Sequence, residues 1–246
     1  MNLVCYPLLV ALTFISVVVC WPMLLLAKAL TGWRWGKCAR LLVWVYGRVW
    51  LWSVSPFVRF SREGFTPELA RTPSVMVVNH QSFFDTYFMG GLPIFDIAFA
   101  VRSWPFRMFW FRPVMELAEY LDVESLSHRE TERHACKILE SGSHVLFYPE
   151  GHRSRDGSLG RFYSGAFRLS KAAGAPVVPL CVSGTGALLS PGRWWFKPAR
   201  VKIKALAPVY PGDFEGQLGH RELMNHVRTL MSQELSQMEN AAEEML

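Results

Sequence analysis

The chain reads as an α/β protein, a mixed central sheet flanked by helices, held behind an N-terminal helical region that anchors it to a membrane. Three observations predict this. The N-terminus is apolar and uncharged, short apolar runs alternate with helical periodicity beyond Arg62, and two polar motifs close two of those runs. At 246 residues the chain has room for one ordinary domain and an additional segment.

The additional segment comes first. No side chain from Met1 to Ala27 is charged. Residues 8–26 alone would make a helix about 28 Å long, close to the hydrocarbon thickness of a bilayer, so a transmembrane helix is expected over about 8–27. The alternative is a cleaved signal peptide, which would want a basic n-region and a small-x-small site. Neither is found around Val17-Val18-Val19-Cys20. Lys28, Arg34, Lys37 and Arg40 follow the span, which by the positive-inside rule puts the remainder on the cytoplasmic side of the inner membrane. Five scattered cysteines without a C-x-x-C suit a reducing compartment.

Residues 33–60 are rich in Trp and interrupted by basic residues. On a helix, Arg34, Lys37, Arg40 and Arg48 share one side, although Leu41 and Val45 intrude on it. This predicts a helix lying in the membrane interface over about 33–60, with Trp at headgroup level and Arg reaching lipid phosphates. A second span or a buried hairpin is the alternative, made costly by Arg40 and Arg48. The net charge of +6 lies largely beside this region and has no nucleic-acid motif with it, so a membrane lipid surface is the expected partner and nucleic acid is not. The organisation is thus a membrane-anchoring region at 1–60 and a single domain at 62–246, with no internal repeat or low-complexity linker.

Within that domain, strands are expected at 74–78, 95–101, 145–148, 176–182 and 200–206, the last with the alternation of a half-exposed strand. Helices are expected at 127–141, closed by Gly142, and at 165–173. A long C-terminal amphipathic helix would bury Leu223, Val227, Leu230, Met231, Leu235 and Met238.

Two motifs carry the chemistry. Asn79-His80-Gln81-Ser82-Phe83-Phe84-Asp85 closes the first strand. A neutral imidazole can take a proton from a hydroxyl if a second group fixes its tautomer, and Asp85 can do so if a helix starts at Gln81 or Ser82. The bland reading of Ser82-x-x-Asp85 is a helix-start cap. Phe147-Tyr148-Pro149-Glu150-Gly151-His152-Arg153-Ser154 closes another strand. There Gly151 allows close backbone approach and Arg153 offers a planar fork to an anion, although a surface turn would look the same. No G-x-S-x-G or H-E-x-x-H occurs, which leaves no nucleophile elbow and no metal site to expect.

These residues resemble the 1-acylglycerol-3-phosphate acyltransferase family, the lysophosphatidic acid acyltransferases. The resemblance runs over roughly 74–184, through His-x4-Asp, Pro-Glu-Gly-x-Arg-Ser and Ala175-Pro176-Val177-Val178-Pro179-Leu180. It implies transfer of an acyl group from a thioester, on acyl-carrier protein or coenzyme A as co-substrate, to the hydroxyl of a lysophospholipid, without a cofactor. His80 would be the general base and Asp85 its orienting partner. Glu150, Gly151, Arg153 and Ser154 would form the acceptor site, and Pro179 would shape it.

Departures from the family bear on the acceptor. His152 stands where Thr is usual. Tyr120-Leu121-Asp122-Val123-Glu124 has an acid where an Arg is expected, and Phe162-Tyr163-Ser164-Gly165 lacks the customary lysines. With two cationic contacts gone, each worth about 1.5–3 kcal/mol, phosphate recognition needs Arg155, Arg161 or Arg168. Otherwise the acceptor is phosphate-free, such as a lyso-aminolipid. A non-catalytic membrane-anchored lipid-binding protein and a hydrolase are the remaining alternatives.

Overall fold

A computed structural model describes residues 1–154 and 157–243. Helices α1 (Asn2–Thr31) and α2 (Trp35–Val54) precede strands β1 (Val58–Glu63), β2 (Val75–Val78), β3 (Ile97–Val101), β4 (Leu121–Asp122), β5 (His144–Phe147), β6 (Val177–Ser183) and β7 (Ala199–Ala205). Between and after them run α3 (Pro67–Arg71), α4 (Asp85–Phe88), α5 (Ser103–Phe106), α6 (Arg112–Leu117), α7 (His128–Glu140), α8 (Gly165–Ala173), α9 (Thr185–Leu188) and α10 (Gly219–Glu243).

The strands form one sheet in the order β1-β7-β6-β2-β5-β3-β4. Every pairing is parallel except β6 with β7. All four residues of β2 are fully buried, so both faces of the sheet centre are covered, as parallel strands require. Helices α7, α8 and α10 pack on β5, β2 and β6, and α2 packs on α4 and the turn at 89–91. Leu223, Val227, Met231, Leu235 and Met238 of α10 are buried, while Leu230 is only partly so. Helix α7 opens with a capping box between Ser127 and Glu130.

Two expectations need correction. Residues 33–60 are not one helix: α2 ends at Val54, Pro56 cannot continue it, and Val58–Glu63 becomes β1, pairing with β7. The sheet therefore starts before residue 62. The short alternating run of β1 was hidden in the Trp-rich stretch before it. The two-residue strand β4 was also missed, being too short to show a period.

Three of the four residues on the basic side of α2 also meet protein, while Arg48 is exposed and lies over the Trp44 ring. Arg40 is only 2% exposed; its Nε donates to Asp96 at 2.7 Å, Nη1 to Glu119 at 2.9 Å and to the Ala118 carbonyl, and Nη2 to Ser143. Arg34 pairs with Glu119 and Lys37 with Asp96. A bare Arg in apolar surroundings is costly unless paired, and these carboxylates supply the pairing. Gly47 of α2 lies against Gly90: a Cβ on Gly90 would stand 2.7 Å from the Gly47 backbone, so only two glycines allow this approach.

Helix α1 is different. Its 18-residue apolar window has a mean hydropathy of 2.5, and only Cys5 and Leu24 are buried. It packs on α2, and Leu24 lines a small gap together with Ala39, Pro113 and Leu117. At its start the Asn2 side chain exchanges two hydrogen bonds with the Phe196 backbone, and the Tyr6 hydroxyl donates to the Trp194 carbonyl.

Candidate active site

Strand register builds the site. In the parallel β2–β5 pair, Val77 lies opposite Phe147. His80 and Glu150 each follow three residues later, so the two motifs meet at the C-terminal edge of the sheet. The crossovers leaving these neighbouring strands run in opposite directions, to β3 and to β6. Such a switch point is where open α/β sheets form a crevice.

The His80 N–H donates to Glu150 Oε1 at 2.8 Å, and its carbonyl accepts from the Ser154 N–H at 2.7 Å. Its Nδ1 lies 2.7 Å from Asp85 Oδ2. A carboxylate there makes Nδ1 the proton-bearing nitrogen and leaves the Nε2 lone pair available. The Asp85 side chain is fully buried, and that of His80 is 19% exposed.

Asp85 Oδ2 also accepts the N–H groups of Gln81 and Ser82, at 2.8 and 2.9 Å. Capping and contact with the imidazole, which the sequence posed as alternatives, are performed by one oxygen. The helix begins at Asp85 itself, not at Gln81 or Ser82 as expected. Residues 81–84 form a turn that aims its N–H groups at the carboxylate, with the Phe84 N–H accepted by Ser82 Oγ. Beneath α4, Trp50 of α2 stacks on Phe84 and meets Phe88 edge-on. The second helix is thus a platform for Asp85.

Sequence reasoning gave no role to two residues of this site. Asn79 extends the β2–β6 ladder with its side chain, donating to the Val182 carbonyl at 2.8 Å and accepting its N–H at 2.7 Å. A buried amide at a strand end must find such partners, and that was its signal. Tyr148 stacks on His80 with centroids 4.3 Å apart. Burial, and then the Asp85 charge, push its phenol pKa upward, so it remains neutral.

Glu150 turns both oxygens to the backbone, Oε1 to His80 and Oε2 to the Gly160 N–H at 2.8 Å. Burial raises its pKa, against the lowering effect of those two donors. Gly151 has φ 68°, and a Cβ there would stand 2.9 Å from the Tyr163 ring, which reserves the position for glycine. Arg153 and His152 are exposed, and Arg153 makes no ion pair among the described residues. Arg161 and Arg168 are also exposed. Arg155 lies outside the described residues.

Pro179 is the third residue of β6, well before its end, and it lies opposite Val77. It is tolerated there because pairing with β7 begins only at Leu180, so no donor is needed. In the 120–124 block, Asp122 accepts from the Ser103 hydroxyl and from two backbone N–H groups. Glu124 pairs with Arg102 at 2.6 Å and accepts the Ser103 N–H.

A seven-stranded, mostly parallel sheet with an imidazole–carboxylate pair at its switch point defines an α/β protein of the acid–base transferase or hydrolase type. The Acyltransferase family profile matches residues 58–183, about half of the chain, and the chain belongs to that family. It is 33% identical over 151 residues to the chloroplastic 1-acyl-sn-glycerol-3-phosphate acyltransferase of Arabidopsis thaliana, covering 57% of this chain and 40% of that protein. It is 23% identical over 197 residues to the 1-acyl-sn-glycerol-3-phosphate acyltransferase of Pseudomonas aeruginosa, covering 79% and 76%. The chain spans about half or less of the first curated relatives it matches, from 40% of the Arabidopsis protein to 51% of one from Chlamydomonas reinhardtii. The crystal structure of the 1-acyl-sn-glycerophosphate acyltransferase PlsC from Thermotoga maritima superposes with a TM-score of 0.79 at 22% identity, covering 97% of this chain and 96% of that one, and so has the same fold.

Proposed function

We propose that the chain is a membrane-bound O-acyltransferase that moves a fatty acyl group from a thioester, on coenzyme A or acyl-carrier protein, to the hydroxyl of a lysophospholipid. The acceptor is 1-acylglycerol-3-phosphate, as the relatives' names suggest, and the product is phosphatidic acid. The observation that carries this reading is His80 Nε2, which no other described residue bonds while Nδ1 is held by buried Asp85. His80 takes the acceptor's hydroxyl proton as that oxygen attacks the thioester carbonyl carbon. The C–S bond then breaks, and the thiolate leaves with the proton returned by the imidazolium. No acyl-enzyme is required. Arg153, exposed beside the site, holds the anionic head.

Membrane attachment rests on α1, whose long apolar surface is left exposed beside the catalytic domain that begins with β1. The hydrogen bonds of Asn2 and Tyr6 to the 194–196 loop hold the N-terminal end of α1 to the domain, as α2 holds the rest, so α1 lies along the domain as a retained anchor on the membrane surface and not as the span that its length suggests. Trp52, Phe109 and Trp194, each about four-fifths exposed, suit a lipid interface.

A second reading of the acceptor is favoured by Glu124 and Tyr163, which stand where the family carries cations. It is a phosphate-free lysolipid, such as a lyso-aminolipid. Purified full-length protein, a panel of lysolipids and both donor types decide the matter by product analysis. Phosphatidic acid formed at least as fast as any other product supports the first acceptor, and faster acylation of an aminolipid supports the second. Release of free fatty acid alone, or no turnover with any acceptor, would remove the transferase reading.

A further inference from the structure

Behind the Glu150 turn, a groove of about 640 Å³ runs between the 159–164 segment and the first turns of α10. Its walls carry Arg161, Arg221 and Arg228, with Asn225 and the exposed ring of Tyr163. None of the three arginines pairs with a carboxylate among the described residues. Arg228 braces the wall, donating to the Gly160 and Leu159 carbonyls at 3.1 and 3.2 Å. Desolvation, and then the charges of Arg168 and Arg221, hold the nearby His220 imidazole below its usual pKa.

The groove is coupled to the reaction centre. Gly160, gripped by Arg228 through its carbonyl, gives its N–H to Glu150 Oε2, and Glu150 Oε1 takes the His80 N–H. Tyr163 lies directly on Gly151. An anion in this groove would thus sit one carboxylate away from the backbone of His80. The exposed aromatics and α1 suit the lipid acceptor, whereas this groove brings three arginines together.

We propose that the Arg161–Arg221–Arg228 groove binds the phosphate of the donor's phosphopantetheine arm, the group that coenzyme A and acyl-carrier protein share. Guanidinium forks suit a phosphate, and a flexible pantetheine chain can carry the thioester from there to His80. The inference rests on the transferase reading and names the donor subsite for it.

Full-length protein in detergent tests this with Arg221→Ala and Arg221→Gln, at an exposed position. Each should raise the donor KM about tenfold while leaving the acceptor KM and the thermal midpoint unchanged, and Arg221→Lys should restore part of the loss. With acyl-pantetheine, which has no phosphate, variants and wild type should turn over equally. Acyl-CoA and acyl-carrier-protein arms identify the source by which donor KM moves. Equilibrium binding of coenzyme A is the readout independent of turnover: weaker binding by Arg221→Ala supports the groove even if no lysolipid is acylated. Unchanged binding of both coenzyme A and holo-acyl-carrier protein, or a shift in the acceptor KM instead, would overturn the inference while leaving the transferase reading in place.

Discussion

The two edges of the sheet hold two polar clusters built on opposite plans. At the C-terminal edge, Asp85 and Glu150 grip His80 through Nδ1 and its N–H but leave Nε2 open. At the N-terminal edge, Asp96, Glu119 and Ser143, which precede β3, β4 and β5, surround Arg40 and occupy all three of its nitrogens. The open cluster has an atom to offer a substrate, and the closed one holds α2 to the domain. Through Trp50 and Phe84, α2 then supports the helix that starts at Asp85. The closed cluster thus serves the open one at a distance.

The comparison sharpens most if Asp85 is changed. Asp85→Asn should lower kcat by about 10²–10⁴-fold, because a neutral amide neither fixes the tautomer nor stabilises the imidazolium. Steady-state kinetics at matched substrate concentrations check this, and a loss under tenfold would mean that Asp85 is only a cap. Arg40→Ala leaves buried Asp96 with only the partly exposed Lys37 and should cost up to about 3–5 kcal/mol of stability. Arg34→Ala, on an exposed pair with the same Glu119, should cost less than about 1 kcal/mol. Denaturant unfolding in detergent separates the two, and equal losses would deny that the Arg40 cluster is closed.

Glu150→Gln keeps the shape but turns an amide N–H toward a backbone donor, for about 1–3 kcal/mol. Its pH dependence has a definite sign. Burial raises the Glu150 pKa, so the folded chain holds that proton more tightly than the unfolded chain. That stabilisation is present at low pH and is lost as pH rises from the ordinary Glu value, about 4, through the raised one. The gap between wild type and Glu150→Gln should therefore narrow with rising pH; a widening gap in thermal midpoints would reverse the assignment. The smallest kinetic effect belongs to Arg153→Ala, which should raise the KM for an anionic acceptor about tenfold without moving the thermal midpoint. An unchanged KM takes Arg153 out of the acceptor site.

The open cluster was legible in the sequence because its partners are set by local spacing and by strand register. His80 and Asp85 share a turn, and apolar runs ending at equivalent positions brought Glu150 alongside. The closed cluster was not legible. Arg40 finds Asp96 and Ser143, 56 and 103 residues away, in loops that no periodicity announces. A stripe of basic residues beside a span looks the same whether lipid phosphates or protein carboxylates will neutralise it. The alternation in β1 was masked similarly, because a Trp-rich helix ran up to it and only Pro56 marked the break.

The central claim is that the open nitrogen of His80 activates the acceptor hydroxyl. The most direct measurement is product formation by His80→Ala in the lysolipid assay, with unfolding of the same preparation followed in parallel. Loss of turnover by about 10³-fold or more, with an unchanged unfolding midpoint, is the expected result. Turnover within tenfold of wild type would place the base on another residue and contradict the account.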